Sequence, residues 1–230
     1  MSKDDFRAGF VGLIGAPNAG KSTLLNAFLG QKVAITSAKP QTTRRRILGV
    51  VTRAEAQMVF LDTPGLHDPK SPLHKGLVSV ALGALEEADV VMWLLDVARP
   101  RPREEGLILG HLRSVAKPVL VALNKIDLIN KARLLPMMEK LSRERDFAAI
   151  VPVSALTGDG LEILAREIIK LLPPDEALFP PDALTDQTER DLAAEFIREQ
   201  VLRFTEQEVP HGATVVVEAW QVKPEKNLTV

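Results

Sequence analysis

The amino-acid sequence predicts an α/β fold: a mainly parallel six-stranded sheet flanked by helices, followed by a partial α+β segment. Three observations predict it. Short unbroken apolar runs such as VVMWLL recur through the first three quarters of the chain, as expected of strands buried on both faces. Longer amphipathic stretches alternate with them, and strand–helix alternation builds a mainly parallel sheet sandwiched by helices. Near residues 171–181 the pattern stops, and PPDEALFPPD concentrates four prolines.

In chain order, a strand at Phe10–Ile14 leads into a helix at Lys21–Leu29. Strands at Ile47–Val51 and Met58–Leu61 precede a helix at Gly76–Glu87. Three further strand–helix pairs follow: Val90–Leu95 with Glu104–Val115, Val119–Leu123 with Ala132–Arg145, and Ile150–Val153 with Leu161–Leu172. The proline cluster divides the chain into a domain over 1–174, a linker over 175–184 and a second segment over 185–230. Charge divides it at the same place. Residues 1–174 hold 24 Lys+Arg against 18 Asp+Glu, a net of +6, and residues 175–230 hold 5 against 12, a net of −7.

Composition narrows the chemistry. The 46% hydrophobic and 26% charged residues are those of a globular protein. Zero cysteines exclude disulfides, thiolate catalysis and Cys-based metal sites, and four histidines leave little for a His-rich site. The apolar runs fall far short of the ~20 residues of a membrane span, and the N-terminus does not read as a signal peptide. The expectation is a soluble protein of the cytoplasm.

In a sheet of this kind the ligand lies beyond the carboxyl ends of the strands, so functional motifs should follow strands. After Phe10–Ile14 comes Gly15-Ala16-Pro17-Asn18-Ala19-Gly20-Lys21-Ser22, then Thr23, a phosphate loop opening a helix. Glycines let backbone amides turn toward phosphate oxygens, Lys21 reaches the β- and γ-phosphates, and Ser22 offers a hydroxyl to Mg²⁺. After Met58–Leu61 comes Asp62-Thr63-Pro64-Gly65. Alone this is a good turn; behind a phosphate loop, Asp62 can hold a water-bridged Mg²⁺ and the Gly65 amide can meet the γ-phosphate. After Val119–Leu123 comes Asn124-Lys125-Ile126-Asp127. The Asp127 carboxylate can accept from guanine N1–H and its exocyclic amine, a donor pair adenine lacks. Asn124 is expected to tie this loop to the phosphate loop, and Lys125 to cover the ring. Ser154-Ala155-Leu156 follows Ile150–Val153, with the Ala155 amide expected at guanine O6. Four motifs in this order specify a P-loop NTPase G domain that binds GTP or GDP with Mg²⁺.

The stretches GAPNAGKSTLLNAFLGQKVAITSAKPQTTRRRILGV, FLDTPGLHDPKSPLHK, ALNKIDL and PVSALTGDGL resemble the Era family of Ras-like GTPases of ribosome assembly. ERDLAAEFIREQVLRFTEQEVPHGATVVVE looks like the opening helix and strand of that family's RNA-binding KH domain. The resemblance implies a GTP-hydrolysing switch, with small-subunit ribosomal RNA and the small ribosomal subunit as partners, a peripheral association with the inner membrane and a monomeric state. Its alternatives are another ribosome- or tRNA-associated GTPase of the same class, or a GTP-binding interaction module with negligible hydrolysis. A KH domain clamps RNA through a GxxG loop. Past Pro181 the sequence has Gly212 alone, so the expectation is a KH domain cut short at Val230.

The switch between Gln31 and Arg46 carries Thr42 and Thr43. Similarity to relatives with one threonine before an arginine favours Thr43 as the third metal-site residue beside Ser22 and Asp62, with Thr42 as the alternative. Arg44-Arg45-Arg46 reads first as a solvated charged face. Where many Ras-like proteins place a water-orienting glutamine, this chain has Leu66, which implies slow intrinsic hydrolysis. The adjacent His67 reads as an exposed loop residue. The expected catalytic groups are Lys21, Thr43, Gly65 and Asn18. In relatives lacking the glutamine, the position of Asn18 ligates K⁺ between the α- and γ-phosphates, so the resemblance implies K⁺ as a further cofactor.

Overall fold

The computed structural model describes residues 6–36, 43, 46–66, 72–205 and 214–220. Six strands form one sheet: β1 (Arg7–Gly15), β2 (Ile47–Thr52), β3 (Ala56–Asp62), β4 (Val90–Asp96), β5 (Val119–Asn124) and β6 (Ala149–Val153). Their spatial order is β2-β3-β1-β4-β5-β6. Only the β2–β3 hairpin is antiparallel; the remaining four pairings are parallel. The helices are α1 (Lys21–Leu29), α2 (Pro72–Glu87), α3 (Pro102–Leu112), α4 (Leu134–Ser142), α5 (Leu161–Leu171) and α6 (Glu189–Phe204).

Both faces of the sheet are buried, which is why its strands read as continuous apolar runs. Alternate residues feed opposite layers. Leu13, Met92 and Leu94 pack with Leu24, Leu25, Leu164 and Ile168 of α1 and α5. Ile14, Trp93 and Leu95 pack with Ala81, Ile108, Leu112 and Leu134 of α2, α3 and α4.

Helix ends depart from the sequence reading for local reasons. α3 stops at Leu112 rather than Val115, where Ser114 and Val115 donate to the His111 and Leu112 carbonyls in tight turns. α4 starts at Leu134 rather than Ala132. Asn130 caps a 3₁₀ turn over Lys131–Arg133 by accepting from the Ala132 amide, and Pro136 sits in the first turn of α4, where its missing N–H costs nothing. α6 opens on a capping box between Thr188 and Asp191.

The proline-rich segment read as a linker is pinned along the sheet. Phe179 exchanges two hydrogen bonds with the buried Gln57 side chain, and its ring packs against the layer of Leu48, Val50 and Val59. The Val50 amide on edge strand β2 donates to the Leu184 carbonyl at 2.9 Å. The Leu184 carbonyl thereby covers a donor on a sheet edge. The strand expected from the family resemblance within 214–220 is not formed: these residues pair with no strand among the described residues. A strand needs a neighbour for its amides. Gly212 lies outside the described residues.

Candidate nucleotide-binding site

Parallel register brings the carboxyl ends of the strands to one edge. Gly15 pairs with Leu94, Leu13 with Asp62, and Asp96 with Asn124. The loop Gly15–Gly20 turns over that edge into α1. Asn18 (φ 63°) and Gly20 (φ 101°) are left-handed, one a residue that tolerates this backbone and the other the residue made for it. Gly20 is required twice over, because a Cβ there would lie 2.3 Å from Asn124 Nδ2. That nitrogen donates to the Ala19 carbonyl at 2.8 Å, bracing the loop from β5.

Lys21, Ser22 and Thr23 form the first turn of α1. Lys21 is buried, and its Nζ donates to the Gly15 and Ala16 carbonyls at 3.2 Å each. Burial pushes its pKa down to about 8, against the pull of Asp62. Ser22 Oγ donates to Asp62 Oδ2 at 2.6 Å and lies 3.1 Å from Thr43 Oγ1, which is itself 3.5 Å from Asp62 Oδ2. The structure thus sets Thr43 beside the other two. Thr42, Arg44, Arg45 and His67 lie outside the described residues. Arg46 forms an ion pair with Glu87, which accords with a charged surface.

Burial pushes the Asp62 carboxyl upward against Lys21 and the hydrogen bonds from Ser22, Thr43 and the Thr63 amide. Its Oδ1 is buried with no hydrogen bond of good geometry among the described residues. Two hydroxyls and a carboxylate with a spare oxygen are the hard donors Mg²⁺ takes. The residues present fit that ion.

The segment after β3 lies on the phosphate loop. Thr63 Oγ1 donates to the Leu13 carbonyl at 2.6 Å, and the Leu66 amide donates to the Gly15 carbonyl at 3.0 Å. Between them, past Pro64, Gly65 comes so close that a Cβ would lie 2.7 Å from Pro17 N and Cα. The Leu66 side chain belongs to the core layer of Ile14 and Trp93.

On the opposite side, Asn124 Oδ1 accepts from the Lys125 and Ala155 amides at 2.8 and 2.9 Å. The Ala155 amide, expected at guanine O6, is therefore engaged by Asn124, and one side chain ties three loops together. Lys125 is left-handed (φ 70°). Its Nζ donates to the Asn18 carbonyl at 2.8 Å and pairs with Asp96 Oδ2 at 2.5 Å. Asp127 is exposed in the 3₁₀ turn Ile126–Leu128. Ser154 is fully buried, with Oγ accepting from the Thr157 amide, while Leu156 stands 79% exposed. Asp96 is the site residue that sequence reasoning missed. A single acid closing a buried strand at the functional edge was the available signal.

The family model described as 50S ribosome-binding GTPase matches residues 10–125. The GTPase Era of Geotalea uraniireducens is 48% identical over 221 residues, covering 96% of this chain and 74% of that protein. The structure of Era in complex with MgGDPNP and nucleotides 1506–1542 of 16S ribosomal RNA is 44% identical, with a TM-score of 0.85, covering 89% of this chain and 70% of that one. An Aquifex aeolicus Era variant bound to GDP and AlF₄⁻ is 43% identical at the same TM-score, covering 90% and 70%.

Proposed function

The chain belongs to the Era family of GTPases, and from that membership we propose a GTP-hydrolysing switch that acts on small-subunit ribosomal RNA during ribosome assembly. The observation that carries the site reading is the convergence of the Ser22 and Thr43 hydroxyls on Asp62 Oδ2, with Asp62 Oδ1 buried and without a hydrogen bond of good geometry among the described residues.

In this reading the backbone N–H groups of the 15–20 loop, which Pro17 lacks, and those of Lys21, Ser22 and Thr23 cradle the phosphates at the N-terminus of α1. Lys21 leaves the Gly15 and Ala16 carbonyls for the β- and γ-phosphates, where its charge is best compensated. Ser22, Thr43 and Asp62 would hold Mg²⁺, which supplies neutralisation of phosphate charge. Gly65, packed so close to Pro17 that a Cβ does not fit, would offer its amide to the γ-phosphate. Asp127 accepts from the guanine N1–H and amine, the Lys125 stem covers the ring, and Ala155 and Leu156 border O6 on the loop that Asn124 secures. Leu66 is committed to the core and supplies no proton acceptor, so water attacks without a side-chain base from that position. K⁺ beside Asn18 would add charge where an arginine finger acts in other GTPases.

The domain over 1–174 carries the switch, and 185–230 opens the RNA-binding region. We place this work in the cytoplasm, with any hold on the inner membrane peripheral. Among the described residues no helix is long and apolar enough to cross a membrane. Single-turnover GTP hydrolysis, with Lys21→Ala as control, tests the reading together with binding of a 16S ribosomal RNA 3′ fragment. Hydrolysis indifferent to Lys21→Ala refutes the site, and no RNA response from a chain that carries the GxxG loop refutes the partner.

A further inference from the structure

Glu199 lies on α6, beyond the proline-rich strap, yet its carboxylate serves the root of the segment that leads to Thr43. It is 5% exposed, ion-paired with Lys32, and accepts from the Thr36 amide at 2.9 Å and the Thr36 hydroxyl at 3.4 Å. Burial opposes its charge, but Lys32 and Thr36 hold the carboxyl below its ordinary range. Lys32 also lies 5.7 Å from the centre of the Phe196 ring, one turn earlier on α6. From the other side, Asn26 of α1 holds the same root. Its Oδ1 accepts from the Val33 and Ala34 amides at 2.9 Å, and its Nδ2 donates to the Ala34 carbonyl at 2.7 Å. Seven residues after Thr36 the chain arrives at Thr43, against Ser22 and Asp62.

The Thr43 segment therefore starts from an anchor shared by α1, which carries Lys21 and Ser22, and α6, which belongs to the region after the G domain. The α6 side of this anchor is charged. A permanent dock is made more cheaply from apolar residues, because an ion pair whose Lys32 side chain is 47% exposed gains little net stability. A polar contact can instead exchange for water at modest cost, as inter-domain contacts do.

We propose that Glu199 is a positioning residue for GTP hydrolysis: by fixing Lys32 and Thr36 to α6 it sets the root of the Thr43 segment and couples Thr43 engagement to the docking of α6. The proposal rests on the reading of Thr43 as a metal-site residue. Coupling is reciprocal, so ordering Thr43 tightens α6, and loosening α6 weakens Thr43.

The test compares the full chain with Glu199→Ala, Glu199→Gln, Lys32→Met and Thr43→Ala, by single-turnover hydrolysis, half-saturating Mg²⁺, GDP affinity and melting. Glu199→Ala is expected to lower the rate and raise half-saturating Mg²⁺ by about threefold to tenfold, the size of effect carried by residues that touch neither ligand. GDP affinity stays within about twofold of wild type. Glu199→Gln falls between, since its amide oxygen still accepts from Thr36. Wild-type rate and Mg²⁺ dependence in both Glu199 variants overturn the proposal. So does a parallel loss of GDP affinity, which marks a packing role. If Glu199→Ala fails to fold, Glu199→Gln and Lys32→Met decide by the same readings. A Thr43→Ala variant with unaltered Mg²⁺ dependence overturns the metal-site reading instead.

Discussion

Asp96 holds Lys125 at 2.5 Å from the end of the neighbouring strand, while its other oxygen accepts from the Ala98 and Arg99 amides at 3.0 Å. The carboxylate is thereby kept in place, and the Lys125 ammonium is stretched between Asp96 and the Asn18 carbonyl. Such a tether fixes where the four-carbon stem lies, which is the part that would cover a guanine ring.

Asp96→Ala should therefore weaken GDP and GTP equally, by about fivefold, the effect of a part-buried ion pair worth about 1 kcal/mol. The saturated hydrolysis rate should not change, since the contact lies on the base side. Nucleotide release followed by fluorescence checks the first expectation and single-turnover kinetics the second. A drop in rate with unaltered affinity would contradict this placement.

Gly65→Ala meets backbone rather than a yielding side chain, because the new Cβ would sit 2.7 Å from Pro17 N and Cα. Either the phosphate loop or the segment after β3 must shift. Overpacking of this kind costs roughly 1–3 kcal/mol, so the melting temperature should fall by several degrees. Hydrolysis should fall at least tenfold, while GDP, which has no γ-phosphate, binds nearly as before. Calorimetry beside a turnover assay separates these effects.

Asp127→Asn turns an acceptor into a group that presents an N–H to guanine N1–H. Losing a hydrogen bond to a charged group is worth about 1.5–3 kcal/mol, so GTP affinity should drop roughly tenfold to a hundredfold. Xanthine nucleotides should gain, because the new amide can pair with their O2. Competition binding with GTP and XTP reads the exchange directly, and unaltered GTP affinity would remove Asp127 from the base site.

Asn18 has the left-handed backbone that asparagine tolerates, and its carbonyl already serves Lys125. Its side chain is the group expected to meet K⁺. Hydrolysis should run faster in KCl than in NaCl at equal ionic strength, and Asn18→Ala should erase the difference with GDP affinity nearly intact. Equal rates in the two salts leave Asn18 with a backbone role alone.

The sequence by itself determined the six strands of the sheet, the five helices α1 to α5 and the loops at the strand ends. Buried parallel strands must be apolar throughout, and a phosphate loop needs its glycines at set positions, so both signals are local and survive in one dimension. Helix ends shifted by a few residues, as at Leu112 and Leu134, because capping and turn hydrogen bonds compete there on nearly equal terms. The tertiary structure alone decided which distant groups became partners. Only packing could show that Asn124 takes the Ala155 amide, that Asp96 holds Lys125, that Phe179 and Leu184 cover the sheet, and that Glu199 reaches back to Thr36. Each of these contacts joins residues far apart in the chain, and its energy is set within an ångström or so of separation. Composition and periodicity carry no term for that distance; the packing of helices on the sheet does.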